Sequence, residues 1–260
     1  AETYAGGDVM GLDWNNPALP WNDTARPWKN PALAWNDTNL SWKVGAGGGG
    51  APPAAVVDIT LTDSSVDPTD AMSYTFSAQA LGTAASDRKI ILGIGTRGSA
   101  STFTSVTVGG VAATEVVAAP ASGAQADRAA IFIADVPTGT TGDVAIVLSA
   151  TTTRCGIGVW RMTGAASSTP TDTGVSTVDP STNTLTISAN GGGVGYGITV
   201  GATSTATWTG QTEDFDEAVE GTITHSGASL NSVAGGDIAV SADWSGAPTP
   251  LNAAFASFAP

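Results

Sequence analysis

Short runs in which apolar and polar residues alternate recur through the larger part of the chain, from Ala54 onward. An alternation of period two places one set of side chains on a buried face and the other toward solvent, as in a half-buried β-strand. Turn sequences such as VDPTD, PTGTTGD and ANGGG separate the runs at roughly the 8–12 residue spacing of sandwiches and jelly rolls. The clearest runs are Val57, Ile59, Leu61; Tyr74, Phe76, Ala78; Val144, Ile146, Leu148; Cys155, Ile157, Val159; and Ile238, Val240, Ala242.

No segment in this part has a helical stripe with caps, so the sequence predicts an all-β fold over 54–260. We expect a jelly-roll-like or Ig-like β-sandwich, either one large sandwich or two small ones with a subdivision near 165–180. A chain of 260 residues with only 12% charged residues is long enough and apolar enough for a substantial core.

Charge and hydropathy exclude two classes of partner. The formal net charge is −14, and no Lys or Arg follows Arg161. A nucleic-acid-binding surface needs clustered basic residues, so we expect no nucleic-acid partner. No apolar run approaches the ~20 residues of a spanning helix, so we expect no membrane insertion.

Five tryptophans, at Trp14, Trp21, Trp28, Trp35 and Trp42, recur at every seventh residue near the N-terminus. A coiled coil also has a period of seven, but it needs two apolar positions per heptad on a continuous helix. Prolines interrupt this stretch, and each interior proline costs a helix about 3 kcal/mol. The helical interpretation therefore fails.

The longer repeat in this stretch is fourteen residues, WNNPALPWNDTARP followed by WKNPALAWNDTNLS, identical at nine positions. NPAL and WNDT have the composition of turns, so we expect short extended pieces that each offer one indole. We divide the chain into an extended docking arm at 1–44, a Gly/Pro linker at 45–53, and the β domain at 54–260.

The arm cannot fold alone. Five indoles bury at most ~1,000 Å², worth about 25 kcal/mol, whereas ordering some thirty residues costs roughly 30–60 kcal/mol. Repeated indoles imply repeated pockets, either in an internally repeated partner or in neighbouring subunits of a symmetric homo-oligomer. Packing of the arm against its own β surface and a short solenoid are the alternatives.

Two stretches, ILGIGTRGSASTFTSVTVGGVAATEVVAA and AAIFIADVPTGTTGDVAIVLSATTTRCGIGVWRMTG, resemble a β-sandwich module of virion proteins from tailed bacteriophages and related gene-transfer particles. The arrangement of Trp-repeat anchor, Gly linker and β domain is similar to tail-fibre and baseplate-attached proteins of such particles. The resemblance is clearest over about 88–165 and implies a particle component. Its motifs are structural, so it transfers no active-site residues.

A cluster of carboxylates in EDFDEAVE follows the tryptophan of TATWTGQ. Hard cations such as calcium favour clustered carboxylates, but this spacing lacks the glycine and terminal Glu of a known calcium loop. A solvated acidic loop is the simpler interpretation, and core packing is the commoner fate of the indole. The preferred ligand-binding corner consists of Trp208, Glu213, Asp214, Asp216 and Glu217.

Three other features resemble catalytic or cofactor motifs without their usual context. The glycine pattern from Gly93 to Gly98 precedes another strand pattern, not a helix, so it predicts no dinucleotide site. His225 is the only histidine, and we expect a strand or surface residue there. Cys155 is the only cysteine, and its alternating run predicts a buried thiol. Trp160 falls on the opposite face of that run and either packs a second layer or is exposed. We expect no catalytic residue, and no metal or cofactor apart from the calcium alternative.

The leading hypothesis is a non-enzymatic virion protein, located in the particle and associated with the tail fibre or baseplate. The arm binds other virion structural proteins, and the β-sandwich either binds host surface glycans or decorates the particle. The alternatives are a capsid decoration or head spike protein, a secreted carbohydrate-binding adhesin, and a polysaccharide hydrolase.

Overall fold

A computed structural model describes residues 56–98, 100–121, 126–177, 182–188, 191–200, 205–221, 223–231, 237–245 and 251–260. All of them lie within one compact unit, Ala54–Pro260. The described residues form strands and turns only, which confirms the predicted all-β fold. Over these residues no helix is long and apolar enough to cross a membrane. The predicted docking arm, with its five tryptophans, and the linker lie outside the described residues.

The first sandwich consists of nine strands in two sheets. Its inner sheet has the order β1-β9-β3-β7-β6 and its outer sheet the order β2-β8-β4-β5. The strands are β1 Asp58–Asp67, β2 Ala71–Ala80, β3 Lys89–Arg97, β4 Phe103–Val108, β5 Val111–Ala112, β6 Thr114–Ala118, β7 Arg128–Asp135, β8 Thr141–Thr152 and β9 Arg154–Thr163.

The second sandwich consists of eight strands in two sheets. Its inner sheet has the order β10-β17-β12-β15-β14 and its outer sheet the order β11-β16-β13. The strands are β10 Asp172–Ser176, β11 Thr182–Ser188, β12 Gly192–Val200, β13 Ala206–Thr209, β14 Thr212–Glu220, β15 Ile223–Leu230, β16 Asp237–Trp244 and β17 Leu251–Phe258.

Both sandwiches are built by the same nested pairing. In the first, β1 pairs with β9, β2 with β8, β3 with β7 and β4 with β5, all antiparallel. In the second, β10 pairs with β17, β11 with β16 and β12 with β15. A long hairpin folded over in this way is a jelly roll. Among the described strands the two orders correspond one to one except for β5, which has no counterpart there, so this part of the chain contains the same topology twice.

The four sheets stack in the order outer, inner, inner, outer, with one apolar core in each of the three gaps. In the middle gap β3 lies over β12, β1 over β14, and β6 over β10. Strand β1 is equivalent to β10, and β6 is equivalent to β14. The β1–β14 contact therefore has the β10–β6 contact as its counterpart. The two sandwiches therefore meet as the two halves of a symmetric dimer would.

Strands of the inner sheets are covered on both faces. In β3 every residue from Ile90 to Thr96 is buried, and in β9 every residue from Cys155 to Trp160 is buried. The predicted solvent-facing set is therefore wrong for these strands, because a second sandwich covers that face. Cys155 is buried, as predicted, and Trp160 packs in the second layer. Ala78, which the alternation places on the buried face with Tyr74 and Phe76, is exposed instead, because the register of β2 shifts between Phe76 and Gln79.

Glycines allow the two inner sheets to approach each other. A Cβ atom added to Gly93 would lie 2.3 Å from Cδ2 of Tyr196, and one added to Gly156 would lie 2.8 Å from Nδ1 of His225. Aromatic side chains of the second sandwich thus occupy the positions that side chains of the first sandwich leave empty. The glycine pattern beginning at Gly93 belongs to strand β3 and packs against Tyr196.

The chain enters the described body at the end where it also finishes. The amide of Ala166, in the connection between the sandwiches, donates to the carbonyl of Ala259 over 3.0 Å. Gly164 packs against the carbonyl of Val56, where a Cβ atom would come within 1.9 Å. We call this the entry end of the body. Arg154 lies at the opposite end, where its guanidinium contacts Asp70 of the first sandwich and Glu220 of the second.

Candidate functional site

The acidic stretch forms strand β14, which among the described strands is the edge of the inner sheet of the second sandwich and pairs with β15. The predicted acidic loop is therefore wrong. Register shifts between Glu213 and Phe215 and between Ala218 and Glu220 interrupt the alternation, which hid the strand from pattern analysis. Charged side chains on an edge strand also discourage pairing with another chain.

One face of β14 looks into the gap between the two sandwiches. Asp214 accepts a hydrogen bond of 2.7 Å from the indole nitrogen of Trp160 on β9. Burial raises the pKa of Asp214, and the bonds from Trp160 and Ser229 oppose this. Phe215 lies on the same face, with its ring centroid 5.9 Å from that of Trp160. The register shift at Asp214 explains how two consecutive side chains share one face.

A hydrogen-bonded chain crosses the same gap next to Phe215. Oε2 of Glu217 lies 3.3 Å from Nε2 of His225. The other ring nitrogen of His225 lies 2.9 Å from the hydroxyl of Tyr196. That hydroxyl also lies 3.0 Å from the carbonyl oxygen of Gly156, in the first sandwich. His225 is a strand residue, as expected, and it is fully buried.

Burial and mutual contacts shift the pKa values of Glu217, His225 and Tyr196. Burial lowers the pKa of His225, and Glu217 opposes this by its hydrogen bond and charge. The bond from His225 in turn lowers the pKa of Glu217. Burial raises the pKa of Tyr196 well above its ordinary value. We therefore expect a carboxylate, a neutral imidazole and a neutral phenol at neutral pH.

The other face of β14 looks into the core of the second sandwich. Asp216 accepts a hydrogen bond of 3.0 Å from the amide of Ala206. The indole nitrogen of Trp208 donates to the hydroxyl of Ser226 over 2.8 Å, and this hydroxyl donates to the carbonyl of Phe215 over 2.9 Å. Burial raises the pKa of Asp216, and the hydrogen bond from the Ala206 amide opposes this.

Buried polar atoms without protein partners lie in the same core. Within the described part of the chain, neither the oxygen nor the nitrogen of the Gln211 side-chain amide has a hydrogen-bond partner, and neither does the indole nitrogen of Trp244. A Cβ atom on Gly195 would come within 2.4 Å of the Gln211 amide oxygen and 2.5 Å of the Trp208 ring. Glycine in β12 thus makes room for both side chains. Proteins hold ordered water against such polar groups.

The structure divides the predicted ligand-binding corner between two layers. Asp214 and Glu217 face the gap between the sandwiches, whereas Asp216 and Trp208 belong to the core of the second sandwich. Only 7% of Trp208 is exposed, so its ring offers no platform for a sugar. Glu213 is exposed. Within the described part of the chain, no group of three or more His, Cys, Asp or Glu side chains is placed to hold a metal ion, calcium included.

Sequence reasoning missed Tyr196 and Gly156, the hydrogen-bonding groups that lie beyond Glu217 and His225 in this row. They are distant along the chain from each other and from Glu217, so no local pattern links them. The uniqueness of His225 was the available signal, since a histidine within an apolar strand needs polar partners. Sequence reasoning also missed Arg154, which contacts Asp70, between β1 and β2 of the first sandwich, and Glu220, at the end of β14 in the second.

Comparisons with family models, with curated proteins and with solved structures find no match for this chain.

Proposed function

We propose that this chain is a non-enzymatic structural protein of a tailed-phage-type particle, associated with the tail fibre or baseplate. The arm at 1–44 docks on a repetitive partner among the other virion structural proteins, and the body at 54–260 projects from it. The observation that carries the proposal is the constant seven-residue spacing of five indoles, four of which lie within two fourteen-residue units identical at nine positions. A ligand repeated at fixed intervals suits pockets repeated at fixed intervals, as in a symmetric assembly of this chain and its partner.

The geometry of the body supports this arrangement. Val56, the first described residue, lies at the entry end together with the end of the chain. A body that is attached there would present its opposite end, where Arg154 joins the two sandwiches, to the surroundings. Three continuous cores over four sheets suit a rigid projection.

Host-glycan recognition is the finer part of the proposal. The three indoles of the body, Trp160, Trp208 and Trp244, are buried and offer no stacking surface. Glycan binding would therefore involve exposed polar residues of the body, and decoration of the particle needs no such binding. A glycan array probed with the full chain and with a variant lacking the five arm tryptophans tests this. Binding by both samples supports recognition by the body, whereas binding by neither supports decoration.

Replacement of Trp14, Trp21, Trp28, Trp35 and Trp42 by alanine tests the docking role of the arm. We expect the circular dichroism and thermal unfolding of the body to be unchanged, because the described cores are built from side chains between Val57 and Phe258. We expect incorporation into particles to be lost. Normal incorporation of this variant would refute the proposal.

A spacing variant provides the matched control. Insertion of one alanine between Leu19 and Pro20 keeps every indole but changes the interval between Trp14 and Trp21. If the partner's pockets are periodic, incorporation decreases. Unchanged incorporation would mean that hydrophobicity alone attaches the arm. A copy number equal to that of capsid subunits would instead indicate a head decoration protein.

A further inference from the structure

The hydroxyl of Tyr196 has two acceptors within reach and only one proton. Its oxygen lies 3.0 Å from the carbonyl oxygen of Gly156, in the first sandwich, and 2.9 Å from Nδ1 of His225, in the second. A phenol can donate a single hydrogen bond. Which acceptor receives it is therefore decided by whether Nδ1 carries a proton of its own.

The neighbouring carboxylate selects the form of the neutral ring. A neutral imidazole has one N–H group, on either Nδ1 or Nε2. If the proton were on Nδ1, the lone pair of Nε2 would face the carboxylate of Glu217 at 3.3 Å. If it is on Nε2, the ring donates to Glu217 and Nδ1 accepts from Tyr196. The second form satisfies both ring nitrogens, so the neutral ring is the Nε2–H tautomer.

We propose that His225 is a proton-dependent switch that determines whether Tyr196 hydrogen-bonds across the boundary between the two sandwiches. In the neutral state Tyr196 donates to Nδ1, and this bond stays within the second sandwich. When the ring takes up a proton, Nδ1–H donates to the Tyr196 oxygen and the phenol proton turns to the Gly156 carbonyl. Nε2–H donates to Glu217 in both states, so the charged ring is held by a carboxylate, a phenol and, through the phenol, the first sandwich.

Other charged groups surround the ring at longer range. Asp216, on the opposite face of β14, favours the charged ring electrostatically. On β9, Arg154 is engaged by Asp70 and Glu220. Ser64, on β1, hydrogen-bonds with Glu217 and thereby holds the carboxylate toward the ring. The remaining acidic residues of the neighbouring strands are Asp58, Asp63 and Asp67 on β1 and Glu213, Asp214 and Glu220 on β14.

The direction of the switch follows from burial. Because burial lowers the pKa of His225, the ring is neutral at neutral pH and takes up its proton only in acid. Close packing leaves the His225 side chain little room to move, since Gly156 lies against its Nδ1 and the Phe215 ring centroid lies 5.0 Å from that of His225. The proton must therefore be accommodated by rearranging hydrogen bonds rather than by moving the side chain.

The single histidine of the chain makes a direct test practical. In the full chain labelled with ¹⁵N-histidine, nitrogen chemical shifts identify the tautomer and follow its titration. We expect the Nε2–H tautomer at pH 8 and a titration midpoint below that of histidine in the unfolded chain. Observation of the Nδ1–H tautomer at pH 8, or of a midpoint at or above the unfolded value, would overturn the proposal.

Three conservative variants separate the switch from general packing. Glu217→Gln should lower the midpoint of His225 further, and Asp216→Asn, on the other face of the same strand, should lower it less. Tyr196→Phe should move the Nδ1 resonance at pH 8 toward that of a nitrogen without a hydrogen bond. Equal effects of the two acidic variants, or an unchanged Nδ1 resonance in Tyr196→Phe, would overturn the assignment. The tautomer of the unaltered protein tests the proposal even if a variant fails to fold.

Discussion

The indole nitrogen of Trp160, in the first sandwich, donates a 2.7 Å hydrogen bond to the carboxylate of Asp214, in the second. Trp160 is fully buried in the gap between the two inner sheets, and Asp214 is half-buried at the edge strand β14. Residues 54 positions apart in the chain are joined here because β14 lies against β9. This hydrogen bond therefore joins the two sandwiches across a largely apolar contact.

Asp214→Ala should destabilise the protein more than Asp214→Asn. Alanine leaves the Trp160 N–H without its acceptor, which costs about 1–3 kcal/mol, whereas the asparagine oxygen still accepts the bond. Urea unfolding at neutral pH measures both free energies of unfolding. Equal losses for the two variants would contradict a stabilising role for this hydrogen bond.

Gly93→Ala should destabilise the protein by about 3 kcal/mol or more, because overpacking forces a rigid ring or the backbone to move. The added carbon would lie 2.3 Å from Cδ2 and 2.8 Å from Cβ of Tyr196. Gly139→Ala is the matched control. Gly139 has a φ of +78°, but the nearest atom to its added Cβ is 3.6 Å away, so only a backbone cost of about 1 kcal/mol is expected. Thermal and urea unfolding compare the two, and similar losses would refute the close packing described for Gly93.

Asp127→Asn should stabilise the protein at pH 8 and have little effect at pH 4. Asp127 is fully buried, neither carboxylate oxygen has a hydrogen-bond partner among the described residues, and Nε of Arg97 lies 3.9 Å away. Burial raises the pKa of Asp127 to about 7, although Arg97 opposes the shift.

The sign follows from the difference between the folded and unfolded pKa values. The folded protein holds the proton more tightly, so this group favours folding in acid, and the advantage is lost as pH rises from about 4 through about 7. The pKa of Asp127 differs between the folded and unfolded states by 7 − 3.8, and each pKa unit corresponds to about 1.36 kcal/mol. Asp127→Asn can therefore raise the free energy of unfolding by at most about 4 kcal/mol.

Urea unfolding of Asp127→Asn across this pH range measures the effect. Asp135→Asn is the control, because the exposed carboxylate of Asp135 accepts from Ser168 and contacts Lys89, and its pKa is lowered. Its pH dependence should have the opposite sign. A pH-independent difference between Asp127→Asn and the unaltered protein would contradict a buried carboxylate at this position.

Arg88→Lys should destabilise the protein by about 2–4 kcal/mol, even though the charge is kept. The buried guanidinium of Arg88 donates five hydrogen bonds to backbone carbonyls of the β2–β3 and β7–β8 connections, at Leu81, Gly82, Val136, Thr138 and Gly139. An ammonium group cannot reach both connections with this planar geometry, so carbonyl groups would remain without donors.

Arg161→Lys offers the comparison for Arg88→Lys. Arg161 bonds Asp58 and the carbonyl of Thr83 near the surface, where a conservative change costs less than about 1 kcal/mol. Free energies of unfolding from urea titration distinguish the two sites. A loss at Arg88 no larger than that at Arg161 would show that Arg88 does not hold the two connections together.

Residues with a clear alternating pattern were placed correctly from the sequence, because the alternation of side chains along a strand is a local property of the backbone. The runs around Val144, Cys155 and Val240 lie in strands, and Cys155 is buried. Strand β14 was not recognised, since its irregular register and its carboxylates imitate a loop. The choice between one and two sandwiches was also open, because both have strands of the same length and spacing.

The sequence by itself determined that the body is all-β, and it marked most of the strands, because strand periodicity and turn chemistry are written in neighbouring residues. Only the tertiary structure decided that the same jelly roll occurs twice and that β3 and β9 are covered on both faces. It also decided that His225 lies between Glu217 and Tyr196 opposite Gly156. These features depend on which distant strands meet, and the free energy of such contacts belongs to pairs of surfaces rather than to any segment alone.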